Sequence, residues 1–161
     1  MPSIKIGSGK LGGRILKTPK NKSLKPTPAR VRKQIFSWLQ PIKQDCNCLD
    51  LFAGTGSLGI EALSNGASRA TFVEQNQDIY NHLYLNCSDL KILNDVNILK
   101  QSAENYIRRT KEEEFDLIFL DPPYSKNYLT KLLPKIIEDF SVIGTLIYIE
   151  ESNFNFSEFD D

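Results

Sequence analysis

Cys46-Asn47-Cys48-Leu49-Asp50-Leu51-Phe52-Ala53-Gly54-Thr55-Gly56-Ser57-Leu58-Gly59 is the stretch on which the reading of the fold turns. Residues 46–52 have the apolar run of a buried strand, and the six residues from Gly54 to Gly59 fit the pattern GxGxxG at the start of a helix over 57–64. A tight strand-to-helix turn without side chains lets a ligand approach the backbone, and amides at the helix start offer donors. Alone the pattern is weak, because an ordinary loop can carry it. Its weight comes from Glu74, 20 residues after Gly54 and at the end of the next strand. The two oxygens of that carboxylate can accept both hydroxyls of a ribose. The pair points to a nucleoside-containing ligand, a description that also fits a nicotinamide-dependent dehydrogenase.

Downstream, strands and helices alternate: strand 70–74, helix 77–90, strand 96–100, helix 103–110, strand 115–120, helix 127–139 and strand 145–150. Gly66 closes the helix at 57–64 and Gly144 precedes the last strand. This is the signature of an α/β fold, a doubly wound, mostly parallel, Rossmann-like sheet of at least five strands. Leu117-Ile118-Phe119-Leu120 is apolar on both faces, as expected where helices cover both sides. Ligands of such sheets gather beyond the carboxyl ends of the strands, so the residues just after each strand matter most.

After the fourth strand stands Asp121-Pro122-Pro123-Tyr124, which has no purpose in a hydride-transfer site. It suits methyl transfer to a base amine. Such an amine is a poor nucleophile, because its lone pair is delocalised into the ring, and it needs acceptors that hold its hydrogens and aim the lone pair. Asp121 offers a carboxylate oxygen; the proline pair stiffens the turn and leaves the Pro122 carbonyl free to accept. Tyr124 is placed to stack on the base, an interaction of roughly 1–3 kcal/mol.

Upstream of the strand at 46, residues 3–6 and 13–17 read as a hairpin joined by Gly7, Gly9, Gly12 and Gly13. A helix follows, with Thr27 as its cap, Pro28 at its first position and an apolar stripe of Val31, Ile35, Trp38 and Leu39 that lasts until Pro41. Arg30, Arg32 and Lys33 lie off that stripe and are expected to face solvent or a partner. Net charge is zero, yet residues 1–43 hold eleven basic and no acidic side chains, against nine basic and twenty acidic in the remaining 118. A segregated basic arm is the footprint of phosphate contacts with a nucleic acid. The chain therefore divides into a basic arm (1–43) packed on the same domain and a ligand-binding core (44–161).

Cys46, Cys48 and Cys87 lack paired spacing and read as buried thiols, and His82 has no second ligand nearby, so no metal site and no His-based triad is expected. The apolar runs are too short to cross a bilayer and no signal-peptide pattern follows Met1, which makes the cytoplasm the expected compartment.

These motifs together identify a resemblance. From Ile4 to about Glu151 the chain resembles the RsmD family of bacterial ribosomal RNA methyltransferases, which modify the exocyclic N2 amine of one guanine in 16S rRNA. The resemblance is carried by Gly7, Gly12-Gly13-Arg14, Lys25-Pro26-Thr27, Arg30-Val31-Arg32, Leu49 to Gly56, Phe72-Val73-Glu74 and Phe115 to Tyr124. It implies a Rossmann-like methyltransferase that uses S-adenosyl-L-methionine, releases S-adenosyl-L-homocysteine and needs no metal. Asp50, Phe52, Ala53, Gly54, Thr55 and Gly56 would line the methionine end of the cofactor, and Glu74 would hold its ribose. Ser102 and Ala103 stand where relatives often carry an acidic residue facing the adenine. Asp121 to Tyr124 would present the base, and Arg14, Lys25, Thr27, Arg30 and Arg32 would contact small-subunit ribosomal RNA, with the enzyme acting as a monomer. Only Ser152 to Asp161 follow the fifth strand, too few for the strand hairpin that ends the family's sheet. The sheet is thus expected to stop at five strands or the chain to be truncated. Two rivals share this machinery: an adenine-amine methyltransferase of DNA, and an idle RNA-binding relative.

Overall fold

Which strand lies at the centre of the sheet decides where a ligand can sit. The computed structural model describes residues 3–22, 24–110, 113–123 and 128–151. In chain order these form β1 (Ser3–Lys5), β2 (Ile15–Lys17), α1 (Ala29–Trp38), β3 (Asn47–Asp50), α2 (Ser57–Ser64), β4 (Arg69–Val73), α3 (Gln77–Asp89), β5 (Val96–Leu99), α4 (Ala103–Arg109), β6 (Phe115–Leu120), α5 (Tyr128–Phe140) and β7 (Ser141–Ile149). Strands β1 and β2 pair antiparallel, while the other five make a parallel sheet in the order β5-β4-β3-β6-β7. The chain moves outward from β3 through β4 to β5, then returns to place β6 on the other side of β3. That reversal opens a crevice above the carboxyl ends of β3 and β6.

Strand β6 shows why the sheet is covered twice. Leu117 and Phe119 point into a cluster with Phe36 of α1, Leu63 of α2 and Leu83 of α3. Ile118 and Leu120 point into a second cluster with Tyr106 of α4 and Ile136 and Phe140 of α5. Each such side chain contributes about 1.5–3 kcal/mol on full burial, so a continuous apolar run stabilises the sheet only with helices on both faces. The hairpin joins the first cluster through Ile4, Ile6, Leu11 and Leu16. It is also stitched to the helices: the Lys17 amide donates to Asn86 Oδ1 at 2.9 Å, Asn86 Nδ2 donates to the Lys17 carbonyl at 2.8 Å, and the Leu11 amide donates to Ser64 Oγ at 2.9 Å.

Four local expectations need correction. Pro28 is the N-cap of α1 rather than its first helical residue, and no side chain caps the helix; Thr27 is buried instead. The buried face of α1 is Arg32, Ile35 and Phe36, while Trp38 is 72% exposed. Val31, Ile35 and Leu39 of the expected stripe do meet the core, which widens to take in Phe36 and Arg32, the latter paired with Glu61 of α2. The last strand begins at Ser141, so Gly144 lies inside β7 at a positive φ of 97°. There the pairing jumps from Phe115 opposite Ser141 to Leu117 opposite Leu146, an irregularity of the kind a glycine accommodates. Strand β7 ends the five-stranded sheet with Ile143 and Leu146 exposed, and residues 152–161 lie outside the described set.

Candidate active site

A cavity of about 640 Å³ opens where β3, β4 and β6 end, a size typical of small-molecule sites. Its walls bring together three stretches that are far apart in sequence: Asp50 to Thr55, Glu74, and Asp121 to Pro123. Ala103, Lys25 and Thr27 also border it. Tyr124 lies outside the described residues.

The turn after β3 is held from several sides. The Gly56 amide donates to the Ala53 carbonyl at 2.7 Å and the Ala53 amide to the Val73 carbonyl at 3.0 Å. Gly54 and Gly56 have φ of 54° and 75°, left-handed values that favour glycine. The expected reason for Gly56 needs amending: a Cβ there would lie 2.3 Å from Leu83 Cδ1, so the missing side chain makes room for the core, not for a ligand. Gly59 serves α2 the same way, since its Cβ would meet Phe72 Cε1 at 2.3 Å.

Glu74 does more than border the cavity. Its Oε2 accepts the Gly54 amide at 2.9 Å and its Oε1 accepts the Asn76 amide at 2.7 Å. Each oxygen retains a second lone pair, so the carboxylate is oriented and can still take ribose hydroxyls. Asp50, 3% exposed, has Oδ2 accepting the Gly59 amide at 3.1 Å. Burial pushes its pKa up to about 7 against the pull of that amide, and the charges of Asp121 and Glu74 add to the rise. Asp121 is likewise raised to about 7, by burial first and by the nearby Glu150 carboxylate second. The walls thus hold several carboxyl groups whose charge is poorly compensated, an environment that a cationic ligand relieves. Neither Asp50 nor Asp121 has an ion-pair partner among the described residues.

Ser102 has another job than the one expected. Its hydroxyl caps α4 by accepting the Asn105 amide at 3.2 Å, and the cavity wall is made by its neighbours Gln101, Ala103 and Glu104. Glu104 therefore brings an acidic side chain to this wall, and sequence reading missed it. Leu24, Asn76 and Tyr128 were missed as well; Tyr128 sits edge-on to Phe52 with ring centroids 6.1 Å apart. Only Glu104, a carboxylate two residues past Ser102, gave a signal that could have been found.

Of the basic residues, Arg14, Lys25 and Arg30 are exposed. Arg14 Nη2 reaches the Asp89 carbonyl at 3.4 Å. Arg32 must be withdrawn from the phosphate-contact set. It is 3% exposed, with Nε donating to Glu61 Oε2 at 3.0 Å, Nη1 to the Thr27 carbonyl at 2.6 Å and Nη2 to the Lys5 carbonyl at 2.7 Å. Its donors are used internally, so no phosphate can reach them.

The three cysteines are buried free thiols. Burial pushes Cys46 up to about 11 and Cys87 up to about 12, which keeps both protonated and unreactive at neutral pH. No helix among the described residues is long and apolar enough to cross a membrane.

A doubly wound parallel sheet whose glycine turn and Asp-Pro-Pro turn open into one cavity defines the Rossmann-like methyltransferase class. The chain belongs to the family described as conserved hypothetical protein 95, whose model matches residues 4–157. It is 35% identical over 150 residues to the ribosomal RNA small subunit methyltransferase D of Haemophilus influenzae, covering 91% of this chain and 78% of that protein. With the enzyme of the same name from Escherichia coli it shares 36% over 149 residues, covering 91% and 74%. A solved Escherichia coli structure described as a candidate methyltransferase, yhhF, superposes with a TM-score of 0.83 at 31% identity, covering 93% of this chain and 81% of that one.

Proposed function

We propose that this protein transfers a methyl group from S-adenosyl-L-methionine to the exocyclic N2 amine of a guanine in 16S ribosomal RNA. The observation that carries the reading is the shared cavity: Asp121 and Pro122 border the same space as Asp50, Gly54 and Glu74. The names of the relatives support ribosomal RNA of the small subunit as substrate, and the cytoplasm, where ribosomes assemble, as the place of work. Residues 1–43 serve as the basic arm that meets RNA and 44–161 as the cofactor-binding core, in a monomer that uses no metal.

The donor set fits the cofactor. Its ammonium and sulfonium match the uncompensated carboxyls, with Asp50 and the turn through Gly54 toward the methionine end and Glu74 toward the ribose. Glu104 takes the adenine-side place assigned to Ser102. When bound, S-adenosyl-L-methionine supplies an electrophilic methyl group.

The protein's own residues do the rest by positioning. Asp121 accepts one amine hydrogen and the Pro122 carbonyl the other, which turns the nitrogen lone pair toward the methyl carbon. Asp50, the turn through Gly54 and Glu74 would hold the methyl donor, which would supply the carbon that the lone pair meets, and Asp121 would take up an amine proton after transfer and release it to water. Alignment of this kind can lower a barrier by about 7–11 kcal/mol. No protein nucleophile takes part.

The test is incubation with labelled cofactor and undermethylated 30S subunits, with duplex DNA as a second acceptor, followed by nucleoside analysis. N2-methylguanosine in RNA is expected. Asp121→Ala should lower turnover by roughly 10²–10⁴-fold while calorimetry shows cofactor binding nearly unchanged. Label appearing only in adenine of DNA rejects the reading, as does full turnover in the variant. A failure to bind cofactor at millimolar concentration favours the idle relative.

A further inference from the structure

Asp121 has a neighbour of the same chemistry. Strands β6 and β7 run parallel with Phe119 opposite Tyr148 and Leu120 opposite Ile149. The pairing continues past both strands, since the Glu150 amide donates to the Leu120 carbonyl at 2.9 Å. Residues two apart share a face of a strand, so Asp121 follows Phe119 and Glu150 follows Tyr148 on one face, side by side. Neighbouring strands are about 4.8 Å apart, which puts the two carboxylates within reach of a single base. The charge of Glu150 is felt at Asp121.

Glu150 is held in place. Tyr148 packs edge-on against Phe119 with centroids 6.2 Å apart, and its hydroxyl donates to Glu150 Oε2 at 3.3 Å. Among the described residues no cation pairs with Glu150. Glu150 is half-buried, so the carboxylate is fixed without being sealed from a ligand.

The edges of the bases differ in what they offer such a pair. Guanine carries a ring N1–H directly beside its N2 amine, two donors in a row. Adenine and cytosine carry an unprotonated ring nitrogen beside theirs, a donor next to a lone pair. Two adjacent carboxylates complement the first edge, and the second repels one of them. We infer that Glu150 is the residue that selects guanine, its carboxylate accepting the ring N1–H of the base whose amine Asp121 holds. This rests on the guanine-amine reading given above and adds to it the means of rejecting the other bases.

2-Aminopurine tests the idea, because it keeps the 2-amine and has a lone pair at N1. After the wild-type target position is mapped, small-subunit RNA is rebuilt by ligation with guanine or 2-aminopurine there and assembled into particles. The wild type is expected to favour guanine by on the order of 10²-fold in kcat/KM. Glu150→Gln, whose amide can donate to the lone pair, should bring that ratio below about tenfold, with cofactor affinity and thermal midpoint unchanged. Equal use of both RNAs by the wild type overturns the assignment with no variant needed. So does a Glu150→Gln enzyme that folds, binds cofactor and keeps the wild-type ratio. A mapped target other than a guanine 2-amine overturns the guanine-amine reading itself, and the role of Glu150 with it.

Discussion

Replacing Arg32 by Met keeps much of its aliphatic volume and removes the charge from one of the most enclosed polar sites in the protein. The side chains of Arg32 and Glu61 are 4% and 2% exposed. Glu61 Oε1 also accepts the Gly7 amide at 2.7 Å, so the loss leaves Glu61 one backbone donor and no counter-charge. The Thr27 and Lys5 carbonyls lose their guanidinium donors as well. Breaking one side of a buried pair costs about 3–5 kcal/mol, a large part of the 5–15 kcal/mol that is usual for a domain. At about 2–4 °C per kcal/mol for a chain of this size, the thermal midpoint should fall by roughly 6–20 °C. Urea unfolding followed by circular dichroism measures the loss. The double variant Arg32→Met/Glu61→Leu removes both charges and should recover at least half of it, since a buried pair replaced by apolar side chains is often neutral. A single-variant loss below about 1 kcal/mol, or a double variant as unstable as the sum of its singles, would refute the burial-based reasoning.

Two further outcomes follow from charges at the cavity and on the arm. Asp50 is raised from 3.8 to about 7 in the folded protein, so between those values the folded state holds a proton that the unfolded chain has released. Stability of the ligand-free protein should therefore fall as pH rises from 4 to 7, by an amount on the order of 4 kcal/mol from this group, and Asp50→Asn should flatten that slope; identical pH profiles for the two proteins would contradict it. Arg14→Glu and Arg30→Glu should each weaken RNA binding and reduce the log-log salt slope by about 0.7–0.9, whereas Arg32→Met leaves the slope alone; a slope insensitive to both reversals removes the arm from RNA contact.

The order of strands and helices was legible because the segments alternated in period, with Pro41 and Gly66 closing the first two helices. Phe115 to Leu120 could hardly be anything but a doubly covered strand, and Glu74 reached the glycine turn as its spacing implied. Arg32 was misread for a physical reason. An arginine on a helix is ordinarily solvated, and its burial depends on a carboxylate 29 residues later that helical periodicity cannot reveal. Trp38 was assigned to the core because it falls at the spacing of the apolar stripe, but it is 72% exposed, while Ile35 before it is buried and Leu39 after it packs against the core. Ser102 looked like a weakened ligand contact while serving as a helix cap, and Glu104, two places on, borders the cavity. Glu150 gave no hint at all, since its proximity to Asp121 exists only once β6 and β7 lie in register.

The reversal of chain direction at β3 has a consequence for how such a protein can change. The groups assigned to the methyl donor come from β3, β4 and the start of α4, and those assigned to the target base itself come from the tips of β6 and β7. Methyl donor and target base are thus served by opposite wings of one sheet, meeting along its middle seam. A descendant could acquire a new target by altering a handful of positions on one wing while the other went on handling the same reagent.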